Sequence, residues 1–222
     1  MQPMVLGVAG GTCSGKSTLV QALVERFEGE ISLLGHDNYY RAHNDMPFHE
    51  RCRLNYDCPE AFETELMVQH LRELKQGHDI LCPTYDYTIH NRSEEVILIP
   101  SRPVILVEGI LIFAEPELCR EMDIRIFVDT DDDVRLCRRL RRDVRDRGRT
   151  VESIISQYLA TVKPMHEQYV RPSRRNADLI VPEGGQNLVA LDMIVERIRQ
   201  HLHQTAASGV QDFGNGGETS AS

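Results

Sequence analysis

The chain has 222 residues, 41% of them hydrophobic, enough for one domain of ordinary size with a substantial core and room for an inserted decoration. Lysine and arginine total 25 against 34 aspartates and glutamates, a formal charge of −9 that disfavours general binding to nucleic acid or an anionic membrane. No apolar run reaches the roughly 18 residues a spanning helix needs, no basic-then-apolar leader opens the chain, and its cysteines form no C-x-x-C pair, so a reduced cytoplasmic protein is expected.

In chain order, the extended run Met4 to Ala9 leads into Gly10-Gly11-Thr12-Cys13-Ser14-Gly15-Lys16-Ser17-Thr18, and Leu19 to Val24 continues as a helix. Strand, glycine-rich loop and helix in that order form the context of the phosphate-binding loop G-x-x-x-x-G-K-[ST]. Gly10 and Gly15 allow dihedrals that aim successive amides at phosphate oxygens. Lys16 adds a mobile charge for the β- and γ-phosphates, and the Ser17 hydroxyl is a ligand for Mg²⁺.

Ile31 to Gly35 reads as a second buried strand that runs into His36-Asp37-Asn38-Tyr39-Tyr40. Strand carboxyl ends line the ligand crevice of an open α/β sheet, so Asp37 is a candidate base for an attacking hydroxyl, with a turn-forming role as the alternative. Tyr39, Tyr40, Tyr85 and Tyr87 lie in polar stretches and suggest a stacking wall for a flat substrate. His49, Cys52 and Cys58 are too loosely spaced to read as zinc ligands. A helix is expected from Asp57 and Pro59 to Lys75, stopped by Gly77.

Ile80 to Tyr87 and Glu95 to Ile99 read as a hairpin joined by His90-Asn91-Arg92-Ser93 and standing outside the parallel sheet. His90 reads as a surface histidine unless that hairpin covers the site. Val104 to Val107 is a strand covered on both faces; it ends in Glu108, an acid placed to hold Mg²⁺ directly or through water. Ile124 to Asp129 is a further strand, and Thr130 to Asp133 cap the next helix. Eight arginines follow between 135 and 149, with Arg135, Arg138, Arg139 and Arg142 at helical spacing on one face. A solvated face and a nucleic-acid patch are open readings, but beside a phosphate loop a lid over triphosphate is preferred, because guanidinium forks match phosphate oxygens.

A helix from Thr150 to Tyr169 with a kink at Pro164, a last strand Asp178 to Val181 and a closing helix from Asn187 to His203 complete the domain, residues 1–204. The hairpin insertion spans about 79–100 and the lid about 131–170; residues 205–222, with a chance Asp212-Phe213-Gly214, read as a disordered tail. The fold class is α/β, a P-loop NTPase-type parallel sheet with helices on both faces, an added β-hairpin and an arginine-rich helical lid. No N-K-x-D or D-x-x-G element of a GTPase is present. The residues alone thus point to a kinase of a small hydroxylated, flat substrate.

From about Val5 to about Leu202 the chain resembles the uridine kinase family, grouped with phosphoribulokinase and pantothenate kinase. The resemblance rests on G-G-T-C-S-G-K-S-T, H-D-N-Y-Y, L-N-Y-D-C-P-E-A-F, P-T-Y-D-Y-T-I-H-N-R, V-E-G-I-L, F-V-D-T-D-D-D-V-R, R-D-R-G-R, I-S-Q-Y and P-E-G-G-Q-N. Cys13 stands where the family often has alanine. The resemblance implies phosphorylation of the 5′-hydroxyl of uridine and cytidine by ATP or GTP with Mg²⁺, in pyrimidine salvage. It makes Asp37 the catalytic aspartate and Lys16, Ser17 and Glu108 the phosphate and magnesium contacts; Asp37 is a further candidate beside the metal. Asp57 and Arg142 match ribose contacts, Tyr85, Tyr87 and His90 base contacts, and Tyr40, Arg147 and Gln157 further substrate-side positions. Arg139 and Arg149 match lid residues on the triphosphate. It further implies a homotetramer inhibited by CTP and UTP, with neither nucleic acid nor membrane as partner. Another alcohol acceptor, or a nucleotide-regulated nucleic-acid-binding module built on the arginine helix, are the alternatives.

Overall fold

The computed structural model describes residues 2–211. Five parallel strands form the central sheet in the order β2-β5-β1-β6-β7: β1 (Met4–Gly10), β2 (Ile31–Gly35), β5 (Val104–Gly109), β6 (Ile124–Asp129) and β7 (Leu179–Pro182). The two-residue period of a strand distributes the apolar run to both faces. Met4, Leu6 and Val8 of β1, Val104 and Leu106 of β5 and Ile126 and Val128 of β6 pack against Leu19 and Leu23 of α1 (Lys16–Arg26) and later residues of the chain including Ile194 and Ile198. Val5 and Ala9, Ile105 and Val107, and Phe127 face the other way, onto a cluster that includes Phe113, Leu71 and Leu74. Burial on both sides is why these strands read as unbroken apolar runs.

Between β2 and β5 come α2 (Phe48–Arg51), α3 (Thr64–Lys75) and an antiparallel hairpin, β3 (Ile80–Asp86) and β4 (Asn91–Ile99), which forms its own two-stranded sheet as expected. Its register is Ile80 to Ile99 through Asp86 to Asn91 with a shift between Pro83 and Tyr85, so the turn is shorter than the sequence suggests and β4 starts at Asn91. α3 begins at Thr64; Pro59–Ala61 forms only a separate 3₁₀ turn, and Phe62 between them pairs in a β-bridge with Tyr40. That bridge interrupts the helix expected from Pro59.

α4 (Pro116–Glu121) precedes β6, and α5 (Asp132–Arg147) carries the arginines. From Val151 to Asn176 the backbone stays helical through α6 (Val151–Gln157), α7 (Lys163–Met165) and α8 (Arg171–Ser173), with wider π turns at Tyr158–Val162 and His166–Val170. Pro164 and Pro172 lack an N–H, and the π turns on either side absorb what a single kink at Pro164 was expected to absorb. α9 (Leu188–Gln211) continues past the expected boundary at residue 205; residues 212–222, including Asp212-Phe213-Gly214, lie outside the described residues.

Candidate active site

The carboxyl ends of β1, β2, β5 and β6 meet on one side of the sheet because all run in the same direction. The loop after β1 turns on Gly10 (φ 153), Cys13 (φ 58) and Gly15 (φ 99) before α1 begins at Lys16. It is tied to the end of the neighbouring β6 and to α5: the Thr130 hydroxyl donates to the Ser14 carbonyl at 2.9 Å, and Arg138 Nη1 to the same oxygen at 3.4 Å. Ser14 is buried and Gly10 packs on β6, where a Cβ would meet the Val128 carbonyl at 2.6 Å, so both shape the loop from behind. Gly11 faces a separate cavity behind the loop, next to Arg135.

Thr12 and Lys16 open onto a cavity of about 760 Å³. Its walls bring together Asp37, Tyr40, Asp57, Tyr85, Tyr87, His90, Arg142, Arg147 and Gln157, with Arg139 and Arg149 beside them. A second cavity of about 360 Å³ lies on the other side of the loop, lined by Cys13, Gly15 to Thr18, Arg138 and the Glu183–Gln186 turn after β7. Lys16 and Arg142 line both. The second cavity depends on small residues: a Cβ on Gly184 would meet the Gly15 carbonyl at 2.7 Å, and one on Gly185 the Leu19 amide nitrogen at 2.9 Å.

Register places Gly35 of β2 beside Glu108 of β5, so Asp37 and Glu108 leave neighbouring strand ends. The Tyr87 hydroxyl donates to Asp37 Oδ2 at 3.2 Å, and the Ser17 hydroxyl donates to Glu108 Oε2 at 3.0 Å. A hydroxyl and a carboxylate converging behind Lys16 are an oxygen donor pair suited to Mg²⁺, a hard cation that takes few protein ligands and the rest from phosphate and water. Burial raises the Asp57 carboxyl above its ordinary value, opposed by the Arg139 charge and reinforced by Asp37. Burial also raises the Tyr87 hydroxyl, with the Asp37 charge adding to it.

Tyr40 stacks on Phe62 (centroids 4.3 Å apart), Phe62 stacks on His36 (3.8 Å), and Tyr85 leans on Tyr40 (4.8 Å), giving the cavity an aromatic floor. Tyr39 does not belong to it. It is fully buried on the opposite side of the turn, its hydroxyl 2.9 Å from His70 Nδ1, so that expectation is corrected: consecutive residues of a 3₁₀ turn point different ways. His90 lies at the cavity rim with φ 49 and stacks on Tyr56 at 5.7 Å; burial, then the charges of Arg149 and Arg51, lower its pKa, so the ring is neutral at neutral pH. The hairpin thus brings His90, partly exposed, to the cavity.

The arginines divide. Arg135 is buried behind the loop, bonded to the Thr130 carbonyl, Asp132 and His166, and does not reach the large cavity. Arg138 lines the smaller one. Arg139 donates to Thr12 Oγ1 at 3.2 Å and Gln157 Oε1 at 2.9 Å, Arg149 to the same Gln157 oxygen at 2.6 Å, and the Arg147 guanidinium lies 5.5 Å over the Tyr87 ring. Two residues escaped the sequence reading. Tyr56 lines the cavity beside Asp57 and is adjacent to it in sequence, a signal that was there to use. Asp143 is one of two acids in the arginine run and stands four residues from both Arg139 and Arg147, the helical spacing that brings opposite charges together.

Residues 5–190 match the model of the Phosphoribulokinase / Uridine kinase family. A uridine kinase of Clostridium novyi (strain NT) is 47% identical over 205 residues, covering 92% of this chain and 99% of that one. A uridine kinase of Bacillus cereus (strain G9842) is 48% identical over 204 residues, 91% of this chain and 96% of that one. The solved phosphoribulokinase from Rhodobacter spheroides shares the fold, with a TM-score of 0.63 at 16% identity over 82% of this chain and 70% of that one. With one family model spanning most of the chain and near-half identity to full-length relatives, this protein is a kinase that belongs to the phosphoribulokinase/uridine kinase family.

Proposed function

We propose that the protein transfers the γ-phosphoryl group of ATP or GTP to the 5′-hydroxyl of uridine and cytidine, yielding UMP and CMP in pyrimidine salvage. The observation that carries this reading is the junction of the two cavities at Lys16 and Arg142. An aromatic-floored cavity with carboxylates suits a nucleoside, and a phosphate loop backs the other, so the two cations stand where a phosphoryl group passes from one ligand to the other. The relatives named uridine kinase supply the acceptor class.

In this reading Asp37, oriented by the Tyr87 hydroxyl, accepts the proton of the attacking 5′-hydroxyl. Asp57, Arg142 and Gln157 line the ribose side, while Tyr85, Tyr40 and His90 hold the base. The loop amides and Lys16 hold the β- and γ-phosphates, with Arg139, Arg147 and Arg149 facing the transferring group. The Glu183–Gln186 turn lines the donor side of the site. Ser17 and Glu108 would hold Mg²⁺, with Asp37 at the adjacent strand end, and the ion when bound neutralises phosphate charge. A cytoplasmic homotetramer inhibited by CTP and UTP belongs to the same reading.

The test is ADP or GDP formation across a panel of nucleosides and other alcohols, with and without RNA, on wild type and Asp37→Asn. UMP and CMP formation, and a turnover lowered by roughly 10²-fold or more in Asp37→Asn with donor binding retained, are the expected results. Phosphorylation of another alcohol alone, or RNA-stimulated hydrolysis without nucleoside phosphorylation, overturns the reading.

A further inference from the structure

Asp143 is fully buried yet takes no part in the roles above. Four guanidinium groups surround it: Arg142 Nη2 at 2.7 Å from Oδ1, Arg147 Nε at 3.7 Å from Oδ1, and Arg139 Nε and Arg149 Nη1 each 3.6 Å from Oδ2. All four arginines line the large cavity, and Asp143 does not. The local chain explains the convergence. Arg139 and Arg147 are one helical turn away on either side, and α5 ends at Gly148, whose left-handed φ of 60 turns the chain back. The Arg149 N–H then donates to the Asp143 carbonyl at 3.1 Å, which sets Arg149 over the end of the helix.

One buried carboxylate against four guanidinium groups leaves the cluster with excess positive charge, which Asp37, Asp57 and Asp146 along the same cavity offset in part. Among the described residues only Arg142 is hydrogen-bonded to the carboxylate, and Asp143 Oδ2 and Arg139 Nε are both buried without a hydrogen-bond partner there and face each other at 3.6 Å, longer than a hydrogen bond. Arg139 is instead drawn outward by Thr12 of the phosphate loop and by Gln157. The carboxylate therefore keeps the guanidinium groups together without binding all of them tightly.

We propose that Asp143 is the positioning residue of the arginine cluster: it gathers Arg139, Arg142, Arg147 and Arg149 along the cavity wall in the absence of phosphate, aimed at the charge that develops on a transferring phosphoryl group. This rests on the phosphoryl-transfer reading above. Removing its charge without changing its shape frees the arginines and makes the cavity more positive, so simple anion affinity is kept or increased while the aim of the donors is lost.

The test uses Asp143→Asn and Asp143→Glu in the full chain, with inorganic tripolyphosphate as the binding probe. Three readouts are taken: calorimetric affinity for tripolyphosphate, the arginine Nε–Hε resonances, and kcat against KM with donor and uridine. Asp143→Asn is expected to bind tripolyphosphate at least as tightly as wild type, to show averaged arginine resonances that sharpen when the anion is added, and to lose about 10²-fold in kcat with little change in the KM for nucleoside. Asp143→Glu keeps the charge and is expected to fall between, with ordered arginine resonances. If the Asn variant does not fold, the Glu variant decides alone: a lowered kcat at unchanged tripolyphosphate affinity supports the proposal, and wild-type kcat overturns it. Weakened tripolyphosphate binding, or a lower melting temperature with unchanged kcat and resonances, also overturns it. Tripolyphosphate binding and resonances need no acceptor, so failure of the nucleoside assignment shows in wild-type turnover and is separable from failure here.

Discussion

In the proposed reaction, His90 is the residue that would meet the position at which the two pyrimidine bases differ. Uracil and cytosine differ at one ring position, a carbonyl acceptor in the first and an amino donor in the second. A neutral imidazole donates from one nitrogen and accepts at the other, and the lowered pKa of His90 keeps it neutral at working pH. His90→Tyr is therefore expected to lose cytidine more than uridine, by on the order of 1–3 kcal/mol in relative kcat/KM, because one buried polar group is left unpaired. Equal losses would reduce His90 to a shape-filling residue. At this scale the sequence spoke clearly where a residue's position follows from a strand end or a fixed motif: Lys16, Ser17, Asp37 and Glu108. Asp57, Gln157 and His90 came only from resemblance, since their roles depend on contacts with other elements; Gln157, for one, is fixed by Arg139 and Arg149. Tyr39 misled because composition alone cannot tell which side of a short turn a ring faces.

Among elements, α5 and its exit turn carry the most consequence. A Cβ on Gly148 would meet nothing within 4 Å, so the cost of a side chain there is purely that of the left-handed backbone. Gly148→Ala is expected to destabilise the fold by about 1 kcal/mol in urea unfolding. It should also raise the KM for the phosphate donor, because Arg149 is delivered by that turn. A stability loss without any kinetic change would detach the turn from the site. The hairpin was legible through Ile80 to Tyr87 and Glu95 to Ile99, but the start of β4 was not. Arg92 and Asn91 read as loop residues, whereas in the fold Arg92 donates to the Tyr40 carbonyl at 2.8 Å and Asn91 accepts from the His43 amide at 2.8 Å. Polar residues whose partners lie on other elements leave no local period to read.

For the whole molecule, two histidines, His36 buried and His166 half-buried, couple folding to acidity. Burial lowers His36, between the sheet and Phe62, from 6.5 to about 3, and burial together with Arg135 lowers His166 to about 4. Both rings take a proton in the unfolded chain below pH 6.5 and stay neutral in the folded one until far lower, so the unfolded state binds more protons across that interval. Stability is full above pH 6.5 and declines as the pH falls, by roughly 2 kcal/mol between pH 6.5 and 5.5 in denaturant unfolding, with the His36 share absent in His36→Phe. A flat profile would mean that the rings find water when charged. The cavities joined at Lys16 and Arg142 carry a kinetic consequence as well. Two ligands that lean on the same pair of cations cannot bind independently: whatever free energy one occupant adds to or takes from the other, it receives in equal measure. A pyrimidine nucleoside triphosphate goes further, since a single molecule offers a base and ribose to one chamber and a phosphate chain to the other. CTP and UTP should then act as ready-made bisubstrate analogues, with inhibition competitive toward nucleoside and toward donor alike, and a pattern competitive with the donor alone would show that only the phosphate chain is recognised.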